Sequence, residues 1–138
     1  MSRLAPLAAV LCLLPALGAC GSGEQGDVKN AVDRLYAGFA ERDAAKVCGS
    51  LTRAQQQRVA KGGSGNSGRP RSCRQVMGFA LGFVGDALKD AKKAKVTKVD
   101  VDGSRAKATV DYKGKAGRLG LAKEDGDWKV ADFDLNKL

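Results

Sequence analysis

Two spacings of apolar residues divide the chain. Between positions 28 and 88 they recur every three or four residues. From Lys95 onward they alternate with polar ones. The first spacing predicts helices and the second predicts half-buried strands. Val28, Val32, Leu35, Tyr36 and Phe39 share one helical face, with Asp27 as the expected N-cap. Ala44 to Leu51 continues as a short second helix. Thr52 with Gln55 has the capping-box spacing and opens a third, Arg53 to Ala60. Ser72 with Gln75 repeats that signal before the most apolar helix, where Val76, Phe79, Ala80, Phe83, Val84, Ala87 and Leu88 are expected to form a broad buried face. Gly78, Gly82 and Gly85 on this helix are expected to let a neighbouring element come close. Strands are expected at Lys95–Asp102, Arg105–Tyr112, Lys115–Lys123 and Asp127–Leu135, with Gly103-Ser104 and Asp125-Gly126 as turns. The last strand has apolar residues on both parities, Trp128 and Val130, then Phe133 and Leu135, which calls for a β-bulge or burial on both faces. Helices followed by a four-strand meander predict an α+β fold with the helices on one face of the sheet.

The start of the chain has a different pattern. Arg3 precedes an apolar run from Leu4 to Leu17, broken only by Pro6 and Pro15 and followed by Gly18 and Ala19. This is the layout of an export signal. At about 14 residues the run is shorter than the roughly 20 that a spanning helix needs. The segment closes on Leu17-Gly18-Ala19-Cys20, which resembles the lipobox of bacterial lipoproteins. The resemblance implies cleavage before Cys20, a diacylglyceryl group on its thiol, and attachment to the outer side of the cell membrane. Residues 1–19 are then the signal, and 20–26, Cys20 with a Gly- and Ser-containing stretch, a flexible tether. Residues 27–138 form the domain. Two or more acyl chains hold a protein on a bilayer stably.

Four cysteines are present in 138 residues. Cys12 leaves with the signal and Cys20 takes the lipid, so Cys48 and Cys73 remain. In an oxidising compartment two leftover cysteines are expected to pair. The rival readings are a redox pair and metal ligands. The spacing is not Cys-x-x-Cys, and two sulfurs without histidine do not complete a zinc site.

The chain contains no histidine, which excludes Ser-His-Asp and Cys-His catalysis. The glycine-rich stretch at 62–68 lacks the Lys-Ser/Thr pair of a phosphate-binding P-loop. Lys and Arg outnumber Asp and Glu by 24 to 15, and loss of Arg3 with the signal leaves +8 on the mature chain. Residues 69–99 hold eight basic and two acidic residues. Arg69, Arg71 and Arg74 gather at the start of the apolar helix as a candidate anion site. The aromatic residues are expected in the core, so no platform is left for stacking nucleic acid bases. Anionic lipid or an acidic wall polymer fits the charge better.

The first helix with Tyr36, the run Arg42-Asp43-Ala44-Ala45 leading to Cys48, the helix-borne Cys73, and Gly126-Asp127-Trp128-Lys129-Val130 together resemble small actinobacterial lipoproteins of the nuclear transport factor 2-like superfamily. That resemblance implies a cone-shaped domain with helices on a curved four-stranded antiparallel sheet. It also implies a cavity lined by Leu35, Tyr36, Phe39, Phe79, Phe83, Trp128 and Asp132. The superfamily includes isomerases, dehydratases, carriers and domains without chemistry. The expected function is a non-enzymatic, membrane-anchored binding domain of the envelope, with no cofactor and with an envelope protein, anionic lipid or wall polymer as partner. The alternatives are a carrier or sensor for a small apolar ligand and, behind it, an enzyme using Tyr36 with an inward Asp132. A monomer is the default, and a homodimer through the outer sheet face is the other option.

Overall fold

Three tight turns set the sheet. Gly103, Gly114 and Gly126 adopt φ of +57°, +75° and +84°, and Lys113 and Asp125 precede the last two at +52° and +51°. Paired positive φ values make mirror-image turns whose twist matches that of the flanking strands. The computed structural model describes residues 20–63 and 71–133. In it β1 (Lys95–Asp102), β2 (Arg105–Tyr112), β3 (Lys115–Glu124) and β4 (Asp127–Asp132) form one antiparallel sheet in the order β1-β2-β3-β4. Four helices precede them: α1 (Cys20–Glu41), α2 (Ala44–Gly49), α3 (Arg53–Gly62) and α4 (Cys73–Val84). Two 3-10 turns, Gly85–Leu88 and Ala91–Lys93, link α4 to β1. The fold is α+β, and the four strands expected from the alternation are present.

The register sorts the strands into two faces. Val101, Ala106, Leu121 and Val130 stand in one row, and Val99, Ala108 and Leu119 in another. These residues are buried or half-buried and face the helices, and α1 lies across β1, β2 and β4. The register shifts between Gly120 and Leu121, whose partners are Asp132 and Val130. Ala131 is the extra residue. This bulge puts Asp132 on the outer face beside Gly120 and returns Phe133 to the interior, where it stacks on Phe39 at 5.3 Å.

The helix boundaries follow from their caps. Asp43 accepts from the Lys46 amide at 2.9 Å and starts α2. At α4, Ser72 and Gln75 form the reciprocal capping box, at 2.9 and 3.2 Å. At α3 only half of the expected box exists. Thr52 Oγ1 accepts from the Gln55 amide, but the Thr52 amide donates to the Val130 carbonyl at 2.9 Å. The Gln55 side chain is therefore free to cap the chain elsewhere, and it donates to the Phe133 carbonyl at 2.6 Å. Val130 in turn donates to the Ser50 carbonyl at 2.8 Å, so Leu51 forms a parallel bridge that covers the outer edge of β4.

Two expectations about the helices are corrected. First, the stretch read as a tether is helical, and α1 begins at Cys20 instead of after Asp27. Glu24 is paired with Lys123 of β3, which holds this first part of the helix against the sheet. Second, α4 turns a different side inward. Cys48 and Cys73 stand at disulfide distance, with Cα atoms 6.1 Å apart, so Cys73 must face α2. Residues four and eight further on share its side, and Met77 and Leu81 are accordingly buried with it. Phe79, Phe83 and Val84 are left facing solvent, at 64%, 78% and 42% exposure. The expected close approach at Gly78 and Gly82 is absent as well, since a Cβ there would meet nothing within 4 Å.

Candidate functional site

The outer face of the sheet carries charged side chains on every strand, but its middle is nearly bare. Gly120 and Ala122 of β3 and Ala131 of the bulge supply almost no side-chain bulk. A groove of about 830 Å³ opens over them. Thr52, Ala54 and Arg58 at the start of α3 form one wall, because the bridge at Leu51 carries α3 to the β4 edge. Along the strands the register sets Asp100 beside Lys107, Lys107 beside Gly120, and Gly120 beside Asp132. Lys107 and Asp132 thus flank a position without a side chain, about 10 Å apart across two strand spacings. The next outer row sets Asp102 beside Arg105 and Ala122.

The chemistry of this groove is charge pairing. Arg58, Arg105 and Lys107 bring three cations, and Asp100, Asp102, Glu124 and Asp132 bring four carboxylates. Among the described residues Arg105, Lys107 and Asp132 make no ion pair, while Asp100 pairs with Lys98 at 3.2 Å. Glu124 is occupied, accepting from the Arg53 amide at 3.1 Å. Thr52 has its hydroxyl engaged as the N-cap of α3. The groove suits a partner bearing both signs of charge, such as an extended peptide. A smaller recess of about 160 Å³ lies between α1 and the start of β4, lined by Asp27, Asn30, Arg34 and Asp127.

The residues expected to line an internal cavity do not stay together. Leu35, Phe39 and Trp128 are buried core residues. Phe79 and Phe83 are outside the core altogether. Asp132 is on the outer face, and Tyr36 sits under the inner one, with its ring 6.2 Å from Phe39 and 6.3 Å from Tyr112. The sheet stands between Tyr36 and Asp132, so the pair cannot act on one substrate. Burial, and next the neighbouring Tyr112, push the Tyr36 hydroxyl above its ordinary pKa of 10.0, which keeps it neutral. The parity of Trp128 and Val130 pointed Asp132 inward, and the bulge reverses it.

Of the three arginines at the start of α4, Arg71 and Arg74 are exposed and Arg69 lies outside the described residues. The capping box already uses the Gln75 amide, so the helix end does not depend on an anion. Residues 1–19, with most of the lipobox, also lie outside the described residues, as do 64–68 of the glycine-rich stretch. Among the described residues no helix is long and apolar enough to cross a membrane, and no group of three or more Cys, Asp and Glu could hold a metal ion. No family model matches the chain, and no curated protein matches it. Alternation alone places Lys107, between Ala106 and Ala108, on the outer face, but it does not single out Arg105 or Asp100. Their alignment with Gly120 depends on strand register, which the sequence does not display.

Proposed function

We propose that this protein is a lipid-anchored, extracytoplasmic binding domain of the cell envelope that performs no chemistry of its own. The observation that carries this reading is Leu17-Gly18-Ala19-Cys20 at the end of a short apolar segment. Two features support it. The remaining cysteines stand at disulfide distance, as an oxidising compartment would allow. Tyr36 and Asp132, the one pair with catalytic promise, face opposite sides of the sheet. The order of helices followed by a four-strand meander is compatible with a nuclear transport factor 2-like domain. Leu35, Phe39 and Trp128 beneath the sheet are buried in the core, and we assign ligand contact to the outer groove. Its charges of both signs favour an envelope protein or a charged wall component over a small apolar ligand.

Radiolabelled palmitate fed to cells expressing the full chain tests the anchor. The wild type should carry label and enter the detergent phase on phase separation. Cys20→Ala should be unlabelled and stay in the aqueous phase. A wild-type protein without label would remove the anchor from this proposal.

A further inference from the structure

α4 is apolar on both sides. Its inward side packs on α2 and α3. From Val76 to Val84 it has no charged or amide side chain, yet Phe79 and Phe83 point outward with their rings 4.7 Å apart. A Phe side chain carries about 150–250 Å² of surface, so the two rings together expose roughly 300 Å². An apolar patch of that size matches the largest on a typical monomer, and such patches are often functional.

Area and charge decide the occupant. A stable protein interface buries about 800 Å² on each partner, more than twice what these rings present. A second copy would bring its own net charge of +8 against this one. The charge that repels a copy attracts an anionic surface. Lys89 follows the 3-10 turn after α4 and makes no ion pair among the described residues. Lys113 lies at the same end, 3.4 Å from the Ala87 carbonyl. Aromatic rings at the headgroup boundary and cations beside them each add to reversible binding at an anionic bilayer surface.

We propose that Phe79, Phe83 and Val84, with Lys89 and Lys113 just beyond them, form a second, non-covalent contact with an anionic bilayer. The proposal rests on the membrane-anchored reading for its location only. The patch is at the far end of α1 from Cys20, since Arg42, just past α1, pairs with Asp86 at 2.9 Å. A helix of 22 residues is about 33 Å long. Attachment at both ends would lay α1 along the membrane and fix which side of the domain faces outward.

The test uses residues 20–138, which contain every described element, with Cys20→Ser and the remaining cysteines oxidised. Flotation is measured with phosphatidylglycerol-containing vesicles and with pure phosphatidylcholine vesicles, at low and high salt. The protein should float with the anionic vesicles at low salt, and at least tenfold less with the zwitterionic ones. Phe79→Ser/Phe83→Ser should lower flotation at least tenfold, with its circular dichroism unchanged. Lys89→Glu, at an exposed position, should lower it severalfold. Absence of flotation with anionic vesicles, or equal flotation of the Phe variant, overturns the proposal. A concentration-dependent dimer that the Phe variant abolishes also overturns it, in favour of a second copy. Because the protein lacks Cys20, failure here leaves the anchor to its own palmitate test.

Discussion

The glycines of this domain do opposite work at different positions. A Cβ on Gly38 would stand 2.9 Å from Val47 Cγ2 and 3.0 Å from the Val47 amide nitrogen. The backbone of α2 cannot retreat cheaply, because the Val47 amide is bonded to Asp43 and α2 is covalently tied to α4. Overpacking of this kind costs about 1–3 kcal/mol, against a gain in helix propensity of about 1 kcal/mol from Gly to Ala. Gly38→Ala should therefore destabilise the domain by up to about 2 kcal/mol in a urea titration. Gly78→Ala and Gly82→Ala, which meet nothing within 4 Å, should each stabilise it by roughly 0.5–1 kcal/mol. A matching sign for Gly38 and Gly78 would contradict the packing of α1 on α2. Composition could not tell these glycines apart. Gly78 and Gly82 sit in the most apolar helix and invite a close-packing reading, whereas Gly38 lies among ordinary helix residues and owes its role to a neighbour reached only after the chain reverses. Arg42 makes that reversal at φ +55°, and the Asp43 amide closes on the Gly38 carbonyl at 2.9 Å.

At the scale of elements, the C-terminal end of α1 is held by a carboxylate shared between two neighbours. Glu41 accepts from Lys46 of α2 and from Lys92 of the second 3-10 turn, the latter at 2.9 Å. The Lys46 contact first, and then Lys92, pull the Glu41 carboxyl from its ordinary 4.5 down to about 2. A carboxylate whose pKa is lower folded than unfolded contributes stability above the unfolded value, and that contribution disappears as pH falls through the folded one. The wild type should thus lose stability between pH 4.5 and 2 more steeply than Glu41→Gln, and the difference between the two should be largest above pH 5. Parallel curves in thermal melts across that window would show that Glu41 binds its proton alike in both states. The strands were legible because period-two alternation and glycine turns are local signals, and all four lie within a few residues of their expected bounds. The bulge was legible only as a break in parity at Phe133. The orientation of α4 was not legible at all, because a helix apolar on both sides contains no pattern from which to choose. Cys73 makes the choice through a residue 25 positions earlier.

Across the whole molecule, the Cys48–Cys73 pairing closes the chain over α3 and the connection to α4. The sheet is built from neighbouring hairpins, and α1 lies directly on it. α4, by contrast, docks on α2 and α3 through Cys73, Val76, Met77 and Leu81. Its outward side gains nothing from burial in the isolated domain, so the covalent link supplies a large share of what keeps it in place. Closing a loop of 25 residues limits the unfolded chain by ~3–4 kcal/mol, a sizeable fraction of the 5–15 kcal/mol typical of a whole domain. Cys48→Ser/Cys73→Ser should lower the thermal midpoint by roughly 10–20 °C. Hydrogen exchange should place the loss unevenly. Amides of α4 should exchange at the rate of local opening, while those of β2 and β3 keep most of their protection. A drop worth less than about 1 kcal/mol, with α4 still protected, would mean that packing alone holds the helix. The role assigned to the disulfide, keeping an apolar helix docked while its aromatic side stays exposed, would then fall.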